Sequence, residues 1–213
     1  MAAMATLTTT AGRATATATS SRRLGAALAA LALGAAAAGC GTSAAATGPA
    51  HQALGLLAPR AAPAGWTRAS LPDGAAVLAY PPAMRKLAGD AGTVSAAQQT
   101  SSGAFLTFLN ATPRQGGESL HGWPQFRLQH LLDDDASAAR RLGAASGIKF
   151  LGGTGSCVMD TYVTKVKANH FTEIACYVQG RTSGSVIVAA AAAARWARYA
   201  GVLRQALAAY VAR

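Results

Sequence analysis

Ser156-Cys157-Val158-Met159-Asp160-Thr161-Tyr162-Val163-Thr164-Lys165-Val166 and His170-Phe171-Thr172-Glu173-Ile174-Ala175-Cys176-Tyr177-Val178-Gln179 decide the fold. Both stretches alternate with the period of two that a strand requires. Cys157, Met159 and Val163 point one way, and Asp160, Tyr162 and Thr164 the other. In the second stretch Ile174, Cys176 and Val178 oppose Glu173 and Tyr177. The connection at 166–169 is short, so the two strands form an antiparallel hairpin. Partners across a hairpin have a constant index sum. Pairing Cys157 with Cys176 centres the turn between Val166 and Lys167 and puts both sulfurs on one face with Met159, Val163, Ile174 and Val178. A bond there closes a loop of about 20 residues, worth roughly 3 kcal/mol by loop-closure entropy. A turn nearer Ala168-Asn169 would need a bulge or a diagonal contact instead.

Working outward, Ser185 to Ala190 adds a third apolar strand after the brief turn at 180–184. Upstream, Ala75 to Tyr80 reads as a strand stopped by Pro81-Pro82, Thr93 to Gln98 as another, and Ala104 to Leu109 as a third. Both alternating sets of the last are largely apolar, which predicts cover on both faces. Asn110 to Gly117 is a turn-rich loop. A helix follows near Gly122 to Leu132, with Pro124 in its first turn, where no backbone N–H is needed. Asp133-Asp134-Asp135 ends that helix or caps a short one through Ala145, closed by Gly147. The last helix is read over Ala191 to Ala212. Trp196, Tyr199, Leu203, Ala206, Leu207 and Tyr210 lie within about 100° on its wheel, a stripe for packing on the sheet. The alternative for that stripe is a helix lying on anionic lipid. The fold class is therefore α+β: a mostly antiparallel β-sheet flanked by helices, with a long C-terminal helix.

The first 39 residues read as an export signal. Residues 1–23 contain no acid and end Ser21-Arg22-Arg23, and Leu24 to Ala38 is an uncharged run of Leu, Ala and Gly. That run falls short of the about 20 apolar residues a bilayer span needs. Ala37-Ala38-Gly39-Cys40 resembles the lipobox of bacterial lipoproteins. The resemblance implies a diacylglyceryl group on the Cys40 thiol and cleavage before it. Ala37 stands where that motif usually has Leu, and plain cleavage after Ala-x-Ala is the alternative. Ser21-Arg22-Arg23 also resembles a twin-arginine signal faintly. Three cysteines then sort into one lipid anchor and one pair, Cys157 with Cys176, in an oxidising compartment; two buried thiols are the alternative. Residues 40–65 are expected as a flexible tether of about 25–30 Å reach. They carry one apolar patch, Leu54-Gly55-Leu56-Leu57. Residues 66–213 are expected as a single α+β domain.

The whole chain of 213 residues carries 19 Lys and Arg against 8 Asp and Glu. Without Arg13, Arg22 and Arg23 the balance is 16 to 8, a net charge of +8. Arg outnumbers Lys 15 to 4 alongside abundant Ala, as a GC-rich coding sequence would produce. The positive field favours anionic lipid or wall polymers. Nucleic acid is not expected as a partner, since no binding motif is visible. There is no Gly-x-Ser-x-Gly, no Walker A loop and no dinucleotide fingerprint, so no catalytic residue is assigned. His51, His121, His130 and His170 lack zinc-helix spacing, and no metal or cofactor is expected. The least ordinary cluster is Arg127 with His130, near the apolar side of the 122–132 helix. It is either an ion pair with Asp160 or Glu173, on the outer face of the hairpin, or an anion or ligand site.

Trp66, Ala79-Tyr80-Pro81-Pro82, Leu109 to Gly116, Trp123 with Phe126-Arg127, Ser156 to Thr164 and Glu173 to Val178 together resemble a group of uncharacterised lipoproteins from high-GC bacteria. The resemblance covers about residues 66–200 and implies a lipid-anchored extracytoplasmic domain without assigning an activity. More loosely, the order of strand, crossing helix, meander and last helix is similar to the PsbP-like fold, an α/β/α sandwich. That likeness implies a binding or assembly factor. Together with the lipobox and the positive charge, the expected partners are membrane lipid through acylated Cys40 and an envelope protein or anionic envelope component. A small cell-envelope hydrolase is the alternative, resting on scattered Ser, His and Asp.

Overall fold

The computed structural model describes residues 49–213. The expected signal peptide, the lipidation of Cys40 and the first part of the tether lie outside the described residues. Ten strands and three helices follow in the order α1 (Pro49–Gly55), β1 (Thr67–Ser70), β2 (Ala76–Tyr80), β3 (Arg85–Leu87), β4 (Val94–Gln99), β5 (Phe105–Pro113), α2 (Trp123–His130), β6 (Ala136–Phe150), β7 (Gly153–Thr164), β8 (His170–Gln179), β9 (Gly184–Ala192), α3 (Trp196–Ala208) and β10 (Val211–Ala212). Seven strands make the main sheet in the order β3-β4-β5-β9-β8-β7-β6, every neighbour antiparallel. A second sheet, β1-β2-β10, is also antiparallel. Among the described residues no helix is long and apolar enough to cross a membrane.

The hairpin takes the register its cysteines require. Cys157 stands opposite Cys176, Asp160 opposite Glu173 and Val163 opposite His170. The disulfide closes at a sequence separation of 19. Lys167 and Ala168 turn the chain with φ of 64° and 47°, the left-handed conformation tight hairpins use. Cys157, Met159, Ile174, Cys176 and Val178 then join the larger core, beneath α1, α3 and the small sheet. The opposite face, Val158, Ala175, Tyr177, Val186 and Val188, is covered by Trp123 of α2, with Leu120 and Phe126 beside it. Helices thus flank the main sheet on both faces, the α/β/α arrangement expected.

Four expectations need correction. Residues 136–147 are not a helix: β6 spans Ala136–Phe150 and pairs the whole length of β7. The segment is rich in Ala, a good helix former, but between 136 and 147 only Leu142 is large and apolar, so a helix there would have no stripe to bury. The open edge of β7 offers a full ladder of hydrogen bonds instead, and three register shifts let β6 follow the twist. Second, part of the expected tether belongs to the domain. Residues 49–55 form α1, and Leu54 of the apolar patch is 0% exposed in the core. Third, the C-terminal helix is shorter than 191–212. β9 runs on through Ala192, and after Ala208 the chain enters β10 to pair with β2. Fourth, the strand at Ala76–Tyr80 lies in the separate small sheet, and β5 extends to Pro113, taking half of the expected loop.

Gly143 shows why α1 seats where it does. A Cβ at that position would lie 2.9 Å from both the Ala50 Cβ and the His51 nitrogen. Only the missing side chain lets the helix lie this close to β6.

Candidate functional site

The α2 side of the sheet holds a buried ionic cluster. Trp123 anchors the helix by donating its indole N–H to the Ala175 carbonyl at 2.9 Å. One turn later Arg127 points down onto β8. Its Nε donates to Glu173 Oε1 at 2.7 Å and its Nη2 to Oε2 at 3.0 Å, a two-point pair. Glu173 is fully buried and the Arg127 side chain is 12% exposed. Burial alone would lower the guanidinium pKa, but the Glu173 charge and hydrogen bonds raise it. Arg127 is therefore permanently charged, as is usual for arginine.

Asp160, across the ladder from Glu173, is 0% exposed. Neither of its oxygens has a hydrogen-bond partner among the described residues. Burial first, and then the Glu173 charge, push this carboxyl up to about 9, with Arg127 pulling the other way. One arginine serves one carboxylate, and the second carboxyl stays protonated at neutral pH. The cluster is then neutral as a whole: Arg127 positive, Glu173 negative, Asp160 uncharged. Burial also pushes the Tyr162 hydroxyl up.

His130 does not join this cluster. The chain widens into a π-helical turn at Leu131–Asp135, and His130 Nδ1 meets Asp134 Oδ2 at 2.8 Å near the surface. Arg127 and His130 therefore face different partners, and the Arg127 guanidinium is taken up by Glu173. Of the expected acidic partners, Glu173 takes the cation, and Asp160 lies nearby without bonding to it. The consecutive aspartates diverge. Asp133 accepts from Gln129, Asp134 meets His130, and the Asp135 carbonyl accepts from the Lys165 N–H. Among the described residues no group of three or more His, Cys, Asp or Glu is arranged to hold a metal ion. His51 engages a main-chain carbonyl, that of Ala144, at 2.8 Å.

The opposite side of the sheet carries a cleft of about 410 Å³. Ala50 and Ala53 of α1 form one wall, Leu142 of β6 and Met159 of β7 the floor, and Trp196 and Arg204 of α3 the other wall. All but Arg204 are apolar. The volume lies toward the lower end of the roughly 300–1,000 Å³ usual for small-molecule sites. A second cleft, about 450 Å³, lies on the other side of α1 against Ile148 and Lys149. Sequence reasoning missed the first cleft because its walls lie some 150 positions apart in the chain. The one available signal was Leu54 to Leu57, an apolar patch within an otherwise small and polar stretch.

Comparison with known proteins bears on the scaffold. No family model matches the chain, and no curated protein matches it. Among solved structures, the chain is similar to cyanobacterial PsbP (CyanoP) from Synechocystis sp. PCC 6803, with a TM-score of 0.51 and 12% identity over 71% of this chain and 94% of that one. The fold is PsbP-like. At this identity the likeness extends to the fold alone. LpqN, involved in cell envelope biogenesis of Mycobacterium tuberculosis, superposes with a TM-score of 0.43 and 15% identity over 68% of this chain and 89% of its own. A protein of unknown function from Pseudomonas aeruginosa gives 0.42 and 12% over 70% and 97%. At those scores neither adds to the PsbP-like assignment.

Proposed function

We propose that this chain is an extracytoplasmic binding module of the cell envelope, held at the membrane by an acylated Cys40, and that its ligand occupies the cleft between α1 and α3. The cleft carries the reading: an open apolar trough of about 410 Å³ walled by two helices on a disulfide-pinned sheet. Concave, mostly apolar sites with a few polar groups are where small ligands bind. The Cys157–Cys176 bond supports the extracytoplasmic address, because such bonds persist where thiols are not kept reduced. The charge balance supports an anionic surrounding. Residues 49–213 hold 16 Lys and Arg against 8 Asp and Glu, and three of those acids, Glu118, Asp160 and Glu173, are buried. A shared fold does not carry a shared function, so the function is argued from the cleft.

Two measurements test this. Metabolic labelling with palmitate should mark the wild type and not Cys40→Ser, and the labelled protein should be digestible by protease added outside intact spheroplasts. Native mass spectrometry of protein extracted from its own membranes should show a bound small molecule, lost in Ala53→Trp, which fills the cleft. Cytosolic recovery with reduced Cys157 and Cys176, or an adduct retained in Ala53→Trp, overturns the proposal.

A further inference from the structure

One charge stands in the wall of the α1–α3 cleft. Arg204 is half-buried, and its Nε is shut off from solvent with no hydrogen-bond partner among the described residues. The ion pairs found among those residues lie on the α2 side of the sheet, Arg127 with Glu173 and His130 with Asp134. A guanidinium offers five N–H donors in a plane and no acceptor, a fork that matches a carboxylate. The half-buried side chain has no ion-pair partner among the described residues, and an anion reaching its outer N–H groups would supply one.

The remaining lining is suited to hydrocarbon. Ala50 and Ala53 keep the α1 wall low. Met159 is unbranched and adapts its shape, and Trp196 presents a flat, part-buried face. One end of the ligand is thus anionic and the rest apolar. Among the described residues a single guanidinium is the only cation lining the cleft, and it balances one negative charge. A phosphate monoester would bring a second charge with no partner, and a phosphodiester lipid a polar headgroup for which the apolar lining offers no hydrogen bonds.

We infer that the cleft binds a long-chain fatty acid, its carboxylate on Arg204 and its chain along Leu142, Met159 and Trp196. This rests on the binding-module reading and adds to it the chemical class of the ligand.

The test uses a photoactivatable palmitate carrying a diazirine in its chain, the corresponding neutral alcohol, and a lysophosphatidylglycerol bearing the same chain. Each is added to the full chain in membranes, and labelled peptides are mapped after irradiation. The acid should label the peptides holding Leu142, Met159 and Trp196. Arg204→Met keeps the packing and removes the charge. It should weaken half-saturation by the acid about 10- to 100-fold, the worth of charge-assisted hydrogen bonds, while leaving the alcohol unchanged. Ala53→Trp should abolish labelling by both. Melting with the disulfide intact shows that each variant is folded; if Arg204→Met is not, Arg204→Lys, which keeps the charge and loses the fork, should weaken the acid alone. Equal labelling by acid and alcohol, stronger labelling by the lysophospholipid, or an acid signal untouched by the Arg204 variants overturns the fatty-acid assignment. If Ala53→Trp still blocks the cleft in those cases, the binding module stands without it. Labelling that survives Ala53→Trp removes both.

Discussion

Asp160→Asn should stabilise the protein at neutral pH, although it alters a fully buried polar residue. In the folded chain the Asp160 carboxyl is pushed up to about 9, by burial and by Glu173. In the unfolded chain it returns to the ordinary value near 4. Between those values the folded state holds a proton that the unfolded state has given up. Stability from this group is therefore fully present below about pH 4 and is lost as pH rises toward 9. At pH 7 the unfolded state gains about 3 pH units of ionisation at about 1.4 kcal/mol each, roughly 4 kcal/mol in its favour. Asparagine keeps the shape and cannot ionise, so that advantage disappears. Its buried amide costs about 1–3 kcal/mol if it finds no partner. The net gain expected at pH 7 is about 1–3 kcal/mol. Urea denaturation of both proteins at pH 4, 5.5, 7 and 8.5 measures it. The difference should grow steadily in favour of Asp160→Asn as pH rises, and at pH 4 it should vanish or reverse. A variant less stable at pH 7, or a difference that ignores pH, would show that Asp160 is ionised in the fold and refute the neutral-cluster account.

The partner of that cluster behaves oppositely. Arg127→Met leaves Glu173 fully buried and unpaired, and should cost about 3–5 kcal/mol in chemical denaturation; adding Glu173→Met should restore most of it. Removing the disulfide with Cys157→Ala and Cys176→Ala together should cost about 3 kcal/mol in the same assay, since the 19-residue separation constrains the unfolded chain. Gly143→Ala should loosen α1, because the added methyl meets Ala50 and His51 at 2.9 Å. Hydrogen exchange at residues 49–55 should rise at least tenfold while β7 and β8 stay protected; unchanged exchange at α1 would show that β6 yields instead.

The hairpin was legible because its information is local and periodic. Alternation over ten residues assigns the faces, two cysteines with a short turn offer a register, and a slip of one would turn Met159 and Ile174 out of the core. The same alternation placed Asp160 and Glu173 on the outer face, and so named both possible partners of Arg127. Which one takes the guanidinium depends on where α2 crosses the sheet, and Trp123 bonding to Ala175 settles that. β6 was hidden for a different reason. Alanine favours a helix locally, and only the unfilled edge of a strand further along the chain makes 136–150 extended. Leu54 read as an apolar spot in a tether because the surface that buries it is assembled from distant elements.

Sequence alone, then, settled what repeats at short range: the strand faces, the apolar stripe of the last helix and the excess of positive charge; it offered the cysteine register beside alternatives, and the fold chose it. Tertiary structure alone decided which edge β6 would fill, which carboxyl keeps its proton, and that Ala53 and Arg204 share a cleft. Each of those depends on groups brought together from far along the chain, where desolvation and packing, and not local preference, set the free energy.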